Sequence, residues 1–308
     1  MSTERTGAAE TPSDGRLLIH RASELLGVPA PTLRSWERRY AMPPTLRTAG
    51  GHRRYDAAAL VQLGLMRDEI AGGRTPQDAA RRVRILVDEL NPARASITTI
   101  MAAAAARDGA TVRHVLDQAL DERGLGATID EVVMPLMRLV GVWWETGRCD
   151  VGQEHWTTAI VRSWLAKITV LAPPPTSQGH VLLAVGPYDR HTLSIDAFAA
   201  LLADRGTASR TLGSRTPADV IVTALQEPSA AGVVLVCQLA TRRRPAVESL
   251  LAAAETGLPV FYAGTAFLVS SARHGVPGTY LGENLTHAAA LVRAQMPEAV
   301  TPEVAAEV

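Results

Sequence analysis

The sequence predicts a multidomain α and α/β protein: a winged helix-turn-helix, then a four-helix bundle, then a doubly wound parallel sheet of flavodoxin-like type. Three features carry that expectation. Two short helices with an arginine-rich second member precede a Gly50-Gly51 turn, four amphipathic stretches fill residues 96 to 170, and apolar strand-like runs alternate with helical ones after Pro173-Pro174-Pro175. A chain of 308 residues that is 47% hydrophobic exceeds one ordinary core and implies several domains. The expected division is a disordered tail at 1–15, a winged-helix head at 16–90, a helical cap at 91–171, a linker at 172–179, an α/β domain at 180–296 and a tail at 297–308.

Composition removes several classes of function. The 31 basic and 31 acidic residues balance, so the chain carries no uniform basic coat, and no apolar run approaches the roughly 20 residues that cross a bilayer. The opening MSTERTGAAETPSDG has neither the cationic start nor the apolar stretch of a secretory signal. Cys149 and Cys237 are the two cysteines, too few for a disulfide framework or a cysteine zinc site, and reduced thiols in a cytoplasm are expected. The neutral total conceals polarity. Between Arg16 and Arg84, 13 arginines stand against 6 acidic residues.

Leu17 to His20 reads as a short extended segment, and Arg21 to Gly27 as an amphipathic helix stopped by glycine. After Val28-Pro29-Ala30-Pro31, Thr32 is placed to cap a helix over Leu33 to Tyr40, with Leu33, Trp36 and Tyr40 on one face and Arg34, Arg38 and Arg39 elsewhere. A Gly-Gly turn then separates a strand carrying Arg47 from one carrying Arg53 and Arg54, the plan of a basic hairpin wing. A charged solvated face is the bland alternative for the arginines, and a core position is the preferred reading of Trp36 and Tyr40.

The run T-L-R-x-W-E-R-R-Y followed by R-T-x-G-G-H-R-R-Y resembles the DNA-binding domain of MerR-type transcription regulators over about residues 17 to 86. That resemblance implies a dimer bound to double-stranded operator DNA. It makes Arg34, Arg38, Arg39, His52, Arg53, Arg54 and Tyr55, with Trp36, the candidate contacts.

Helical patterns at 60–71 and 75–90 end at Asn91-Pro92, and stretches 96–106, 111–122, 126–146 and 151–170 follow, separated by Gly109, Gly124 and Gly147-Arg148-Cys149. An inert dimerising bundle would need no special residues. This one has Trp143-Trp144-Glu145 and Glu154-His155-Trp156, so three of the chain's five tryptophans fall within fourteen residues. Tryptophan offers a broad flat surface suited to covering a large planar ligand.

Beyond the prolines, strands are expected at 180–186, 208–212, 231–237 and 259–264, with helices at 193–204, 217–225 and 245–255. Doubly wound sheets receive ligands at the carboxyl ends of their strands, which selects the loop Gly186 to Ser194. It lacks a glycine pattern that cradles phosphate. It does place His191 two residues after Asp189, and a carboxylate on one ring nitrogen leaves the other ready for a metal. An isolated loop histidine is ordinarily just solvated.

The Asp189–His191 segment resembles the D-x-H-x-x-G signature of cobalamin-binding domains. With Trp144, Glu154 and His155 matching W-x9-E-H, and the head in front, the chain resembles the CarH/LitR class of light-responsive repressors. That resemblance implies adenosylcobalamin between bundle and sheet, His191 as lower cobalt ligand, and Trp144, Glu154 and His155 over the upper face. It further implies a dark assembly, dimer or tetramer, held on DNA by avidity and released by light. Ser194 stands in place of the signature glycine, Cys237 or Gln238 in place of a serine, and Ala263-Gly264 in place of two glycines. Each added side chain narrows the channel for the cofactor's nucleotide tail. Glu145 stands where some relatives have a histidine, implying a differently ligated lit state. Two alternatives stand beside this reading: the same architecture binding a bilin or haem, or nothing, and a corrinoid methyltransferase-type protein. No nucleophile-base pair supports catalysis, so no enzymatic activity is expected.

Overall fold

The computed structural model describes residues 17–43, 46–47, 53–89, 93–145 and 149–297. The expected tail at 1–15 and residues 298–308 of the second tail lie outside the described residues. The chain divides into two compact units, residues 1–87 and 88–308.

In the first unit, β1 (Leu17–Leu18), α1 (Ile19–Leu26), α2 (Ala30–Tyr40), β2 (Leu46–Arg47), β3 (Arg53–Tyr55), α3 (Ala57–Ala71) and α4 (Pro76–Glu89) follow in order. Helix α1 ends where Gly27 turns left-handed at φ 65°, its N–H returning to the Glu24 carbonyl. Helix α2 starts earlier than Thr32: Pro29 is the cap residue and Pro31 occupies the first turn, where a missing N–H leaves no partner wanting. Antiparallel β3 is central, pairing with β1 and β2 in the order β1-β3-β2. Asp56 caps α3 by accepting from the Ala59 N–H at 2.8 Å, and Thr75 and Asp78 cap α4 reciprocally. Leu33, Trp36, Tyr55, Leu63, Met66 and Val83 fill the core these elements share.

The second unit opens with α5 (Arg94–Ala105) and α6 (Gly109–Ala127), then a π-helical turn (Thr128–Val133), α7 (Met134–Glu145) and α8 (Val151–Leu171). The continuous helix expected over 126–146 is thus irregular at its start. Gly124, at φ 75° and ψ 166°, breaks the helix, and the wider π turn carries the chain into α7. Thr157, Val161, Trp164 and Leu165 are the buried face of α8, spaced by three and four. Asp150 caps that helix, and Ala172, extended ahead of Pro173, ends it.

The sheet comprises β4 (His180–Val185), β5 (Ser209–Gly213), β6 (Ala230–Val236), β7 (Val260–Ala263) and β8 (Thr279–Tyr280), all parallel, in the order β5-β4-β6-β7-β8. Helices α9 (Leu193–Asp204) and α12 (Leu285–Arg293) cover one face, and α10 (Ala218–Leu225) and α11 (Arg243–Ala254) the other. Strand alternation divides the two cores. Val181, Leu183 and Val185 face α9 and share one continuous core with Val161, Trp164 and Leu165 of the bundle, while Leu182 and Ala184 face α10 and α11. Bundle and sheet are therefore one packed body, although they read as separate modules in the sequence.

Two polar fastenings reinforce that packing. Asp130, in the π turn, accepts from the Leu285 N–H at 2.9 Å, the Thr286 N–H at 3.2 Å and the Asn284 amide at 2.9 Å, capping α12 from outside. Arg162 of α8 donates to Asp196 at 2.9 Å and Thr192 at 2.7 Å, at the start of α9. The proline segment is anchored too: the N–H groups of Thr176 and Ser177 both reach the Gly206 carbonyl, at 2.8 and 3.1 Å.

Candidate cofactor site and nucleic-acid interface

In the head, Arg34, Arg38 and Arg39 are exposed on α2, opposite the buried Leu33 and Trp36. Three guanidinium groups on one short helix suit phosphate and base-edge contacts. Two other candidates are placed differently. Tyr55 is fully buried in the head's core, where its ring packs instead of facing a ligand. Arg53 lies one residue-pair period from Tyr55 and donates to Glu37 of α2, so its charge fastens the wing strand to the helix. Arg54 points to the opposite face of β3. His52 lies outside the described residues.

The second site gathers at the carboxyl ends of β4 and β6, where the strand order β5-β4-β6 reverses direction and leaves a crevice. Asp189, in the loop after β4, is completely buried, and every bond to it is directional. The His191 ring donates from Nδ1 to Asp189 Oδ1 at 2.6 Å, the His191 N–H adds 3.1 Å to the same oxygen, and the Gln238 N–H, just past β6, donates to Oδ2 at 2.7 Å. The Asp189 carbonyl accepts from the Arg215 N–H at 2.9 Å.

Burial works to raise the Asp189 pKa, but the bonds from the His191 ring, the Gln238 N–H and the His191 N–H outweigh it and hold the carboxyl at about 2. The bond to Asp189 in turn raises the His191 pKa against burial, with the charges of Asp189 and of Glu154 adding to it. Glu154 sits in the first turn of α8, so the cap's carboxylate acts electrostatically on the loop histidine of the sheet.

Glu154 accepts from the Thr158 hydroxyl at 3.0 Å and lies 3.3 Å from His155 Nε2, whose side chain is largely exposed. Arg107 steadies this corner: it donates to the Gly152 carbonyl at 3.0 Å, pairs with Asp150 at 3.5 Å and lies over the Trp156 ring at 5.8 Å. Trp143 and Trp156 pack against the core, while Trp144 is 50% exposed near the end of α7. Among the described residues no hydrogen bond, ion pair or ring contact joins Trp144 to Glu154, His155 or His191. The Glu145 side chain lies outside what is described.

Cys237 and Gly264 are brought together, by backbone. The Cys237 N–H donates to Ala263 O at 3.1 Å, and a Cβ on Gly264 would lie 2.2 Å from the Cys237 carbonyl oxygen. The Cys237 thiol is fully buried and bonds the Leu239 carbonyl at 3.4 Å; burial pushes it up to about 11. Neither feature makes it a nucleophile or a metal ligand.

The donor set fits a planar metal macrocycle. His191 has one nitrogen fixed by a buried carboxylate, which sets the tautomer and leaves Nε2, on a side chain 59% exposed, as a nitrogen that would hold one metal centre. Tyr188 and Leu239 add exposed apolar surface beside it, Tyr188 under the Arg242 guanidinium at 5.7 Å. Among the described residues there is no cluster of three or more His, Cys, Asp or Glu that could cage a bare ion.

Residues 18–84 match the model of the MerR HTH family regulatory protein, and residues 97–169 match that of a B12 binding domain. The HTH-type transcriptional repressor CarH of Myxococcus xanthus is 32% identical over 268 residues, which span 80% of this chain and 88% of that one. This chain belongs to the CarH-like family of MerR-type, B12-binding repressors. The HTH-type transcriptional repressor CarA of the same organism is 28% identical over 66% of this chain and 69% of its own. Among solved structures, a monomethylamine corrinoid protein of Methanosarcina barkeri superposes with a TM-score of 0.49, at 15% identity over 63% of this chain and 94% of that one. Both CarH-like relatives are repressors, not enzymes, and the bilin or haem alternative finds no support in these likenesses. Within the family's architecture, sequence reasoning missed Arg162 and Asp130, whose partners lie tens of residues away and leave no local signature.

Proposed function

We propose that this protein is a light-responsive transcriptional repressor that holds operator DNA through its head and senses light through adenosylcobalamin. The observation that carries the reading is the buried Asp189 bonded to His191 at the carboxyl end of β4, within the electrostatic reach of Glu154 on the cap.

In this reading His191 is the lower cobalt ligand and Asp189 its orienting partner. Trp144, Glu154 and His155 would cover the cofactor from the cap, and Cys237 and Gly264 would line it beside the sheet. Bound, the cofactor supplies a cobalt–carbon bond that visible light breaks. Everything else is the work of the chain's own residues. Asp189 keeps Nδ1 protonated, so that Nε2 presents its lone pair. The exposed Trp144 shields the opposite face from water. Arg162 and Asp130 hold the cap on the sheet while that face is covered.

Subunits assembled through such sensors, as dimer or tetramer, would present several heads to one operator, and linked heads bind far more tightly than separate ones. Loss of assembly then releases DNA without altering any contact to a base.

Reconstitution in darkness with adenosylcobalamin, followed by absorption and size-exclusion measurements before and after green illumination, tests this. Wild type should retain pigment through gel filtration and change assembly on illumination, and His191→Ala should lose the pigment. Full pigment retention by His191→Ala would remove the lower-ligand assignment.

A further inference from the structure

Arg162 of the cap grips the residue that follows His191. Its Nη2 donates to the Thr192 hydroxyl at 2.7 Å and its Nε to Asp196 Oδ2 at 2.9 Å, so one guanidinium of α8 holds both the start and the first turn of α9. Thr192 is the cap residue of α9, a place where a threonine hydroxyl ordinarily accepts from a backbone N–H of the first turn. Here its side chain makes no such bond. The hydroxyl is given to a different helix, and the local stability that capping would lend α9 is forgone.

The same stripe of α8 meets the His191 loop a second time. Glu154, Thr158 and Arg162 are spaced by four, so they lie one above another along about 12 Å of the helix. At one end Thr158 donates to Glu154 at 3.0 Å, and the charge of Glu154 is felt at His191. At the other end Arg162 holds Thr192. A single peptide bond, about 3.8 Å from Cα to Cα, joins His191 to Thr192, so the histidine cannot move far without pulling on this contact.

Resting on the cobalamin reading above, we infer that Arg162 is a positioning residue that couples ligation at His191 to the seating of α8, through the Thr192 hydroxyl. When His191 is held at Nε2, Thr192 is held with it, and its hydroxyl keeps Arg162, and so α8, against the sheet. The coupling is reciprocal: a seated α8 favours the loop position from which His191 ligates. The Arg162 side chain is 48% exposed, so water screens the pair and the coupling is about fivefold instead of hundredfold. A clasp of that strength holds the cap in one state and lets it go in the other.

The test is hydrogen–deuterium exchange of the full chain in darkness, without ligand and with adenosylcobalamin, read beside the absorption spectrum of the bound pigment. Wild type is compared with Arg162→Ala, with Arg162→Lys, which keeps the charge but loses the fork that makes both bonds, with Thr192→Val, with the double variant Arg162→Ala/Thr192→Val, and with His191→Ala. In wild type the cofactor should slow exchange over residues 151–165 of α8 as well as in the loop. Arg162→Ala and Thr192→Val should each keep the wild-type pigment spectrum, bind the cofactor about fivefold more weakly and lose the added protection of α8. The double variant should be no worse than either single one, and Arg162→Lys should recover part of the effect. Without ligand, α9 should exchange equally in Thr192→Val and wild type, since that side chain does not cap it. If Arg162→Ala shows wild-type protection of α8 on binding, or the two single effects add in the double variant, the coupling is overturned while the His191 assignment stands on the His191→Ala result. If no protein in the set binds the cofactor, or His191→Ala binds it as wild type does, the cobalamin reading itself fails and the coupling falls with it.

Discussion

Gly264 has a φ of 106°, and the nearest backbone leaves no space where a side chain would start. Gly264→Ala is expected to destabilise the second unit by about 3 kcal/mol or more, because strain at a positive φ adds to a clash with backbone that has nowhere to move. A urea titration that leaves the midpoint unchanged would contradict the stitched β6–β7 ends. Burial gives the neighbouring thiol a second measurable property. With its pKa raised to about 11, Cys237 stays protonated throughout the neutral range and becomes a thiolate only in strong alkali. Cys149, also buried, is pushed up in the same direction by its surroundings. Native protein at pH 7 should therefore resist maleimide labelling, and unfolding should expose both thiols; rapid labelling of the folded chain would show that the crevice opens spontaneously.

At the scale of elements, the sequence is most readable where local physics decides. Gly27 ends α1 and Pro173 ends α8, and both stops follow from the residue itself. The start of α2 reads too late because Thr32 is a good cap in isolation, whereas Pro31 in the first turn accompanies a start three residues earlier. Tyr55 belongs to a basic run and reads as a DNA contact, but strand alternation turns its ring into the core. The pair Asp189–His191 is legible because its spacing is local. Its coupling to Glu154 is not, since 34 residues and a change of fold lie between Glu154 and Asp189. The short β8 and α12 escape reading: β8 has two residues, and although Asn284 caps α12 locally, the helix's first two N–H groups find their partner in Asp130, more than 150 residues upstream. Asp130→Ala should accordingly cost about 1–2 kcal/mol in thermal or urea unfolding, with Asp130→Asn recovering part of it. An unchanged midpoint in Asp130→Ala would mean that solvent satisfies α12 equally well.

For the molecule as a whole, the head's charge sets how it meets DNA. Duplex binding should weaken linearly in log affinity against log salt, and replacing Arg34, Arg38 or Arg39 by alanine should lower that slope by about one for each phosphate no longer neutralised. Arg53→Ala should instead act mainly on stability, since its guanidinium is already committed to Glu37. Fluorescence anisotropy across a salt series separates the two: an equal change of slope for Arg38→Ala and Arg53→Ala would place both on the phosphates.

The docked proline segment has a mechanical meaning for the cap. Helix α8 is 21 residues long, about 30 Å from end to end. Five residues past its last turn the chain is pinned to Gly206, so its base is a pivot, and the end bearing Glu154 and His155 is held by Arg107 alone through Gly152, Asp150 and the Trp156 ring among the polar contacts described there. A tilt of about 10° barely disturbs the base yet sweeps the far end through roughly 4–5 Å, and the Arg107 contacts must give way to allow it. Arg162, halfway along, is the pin that must slip first.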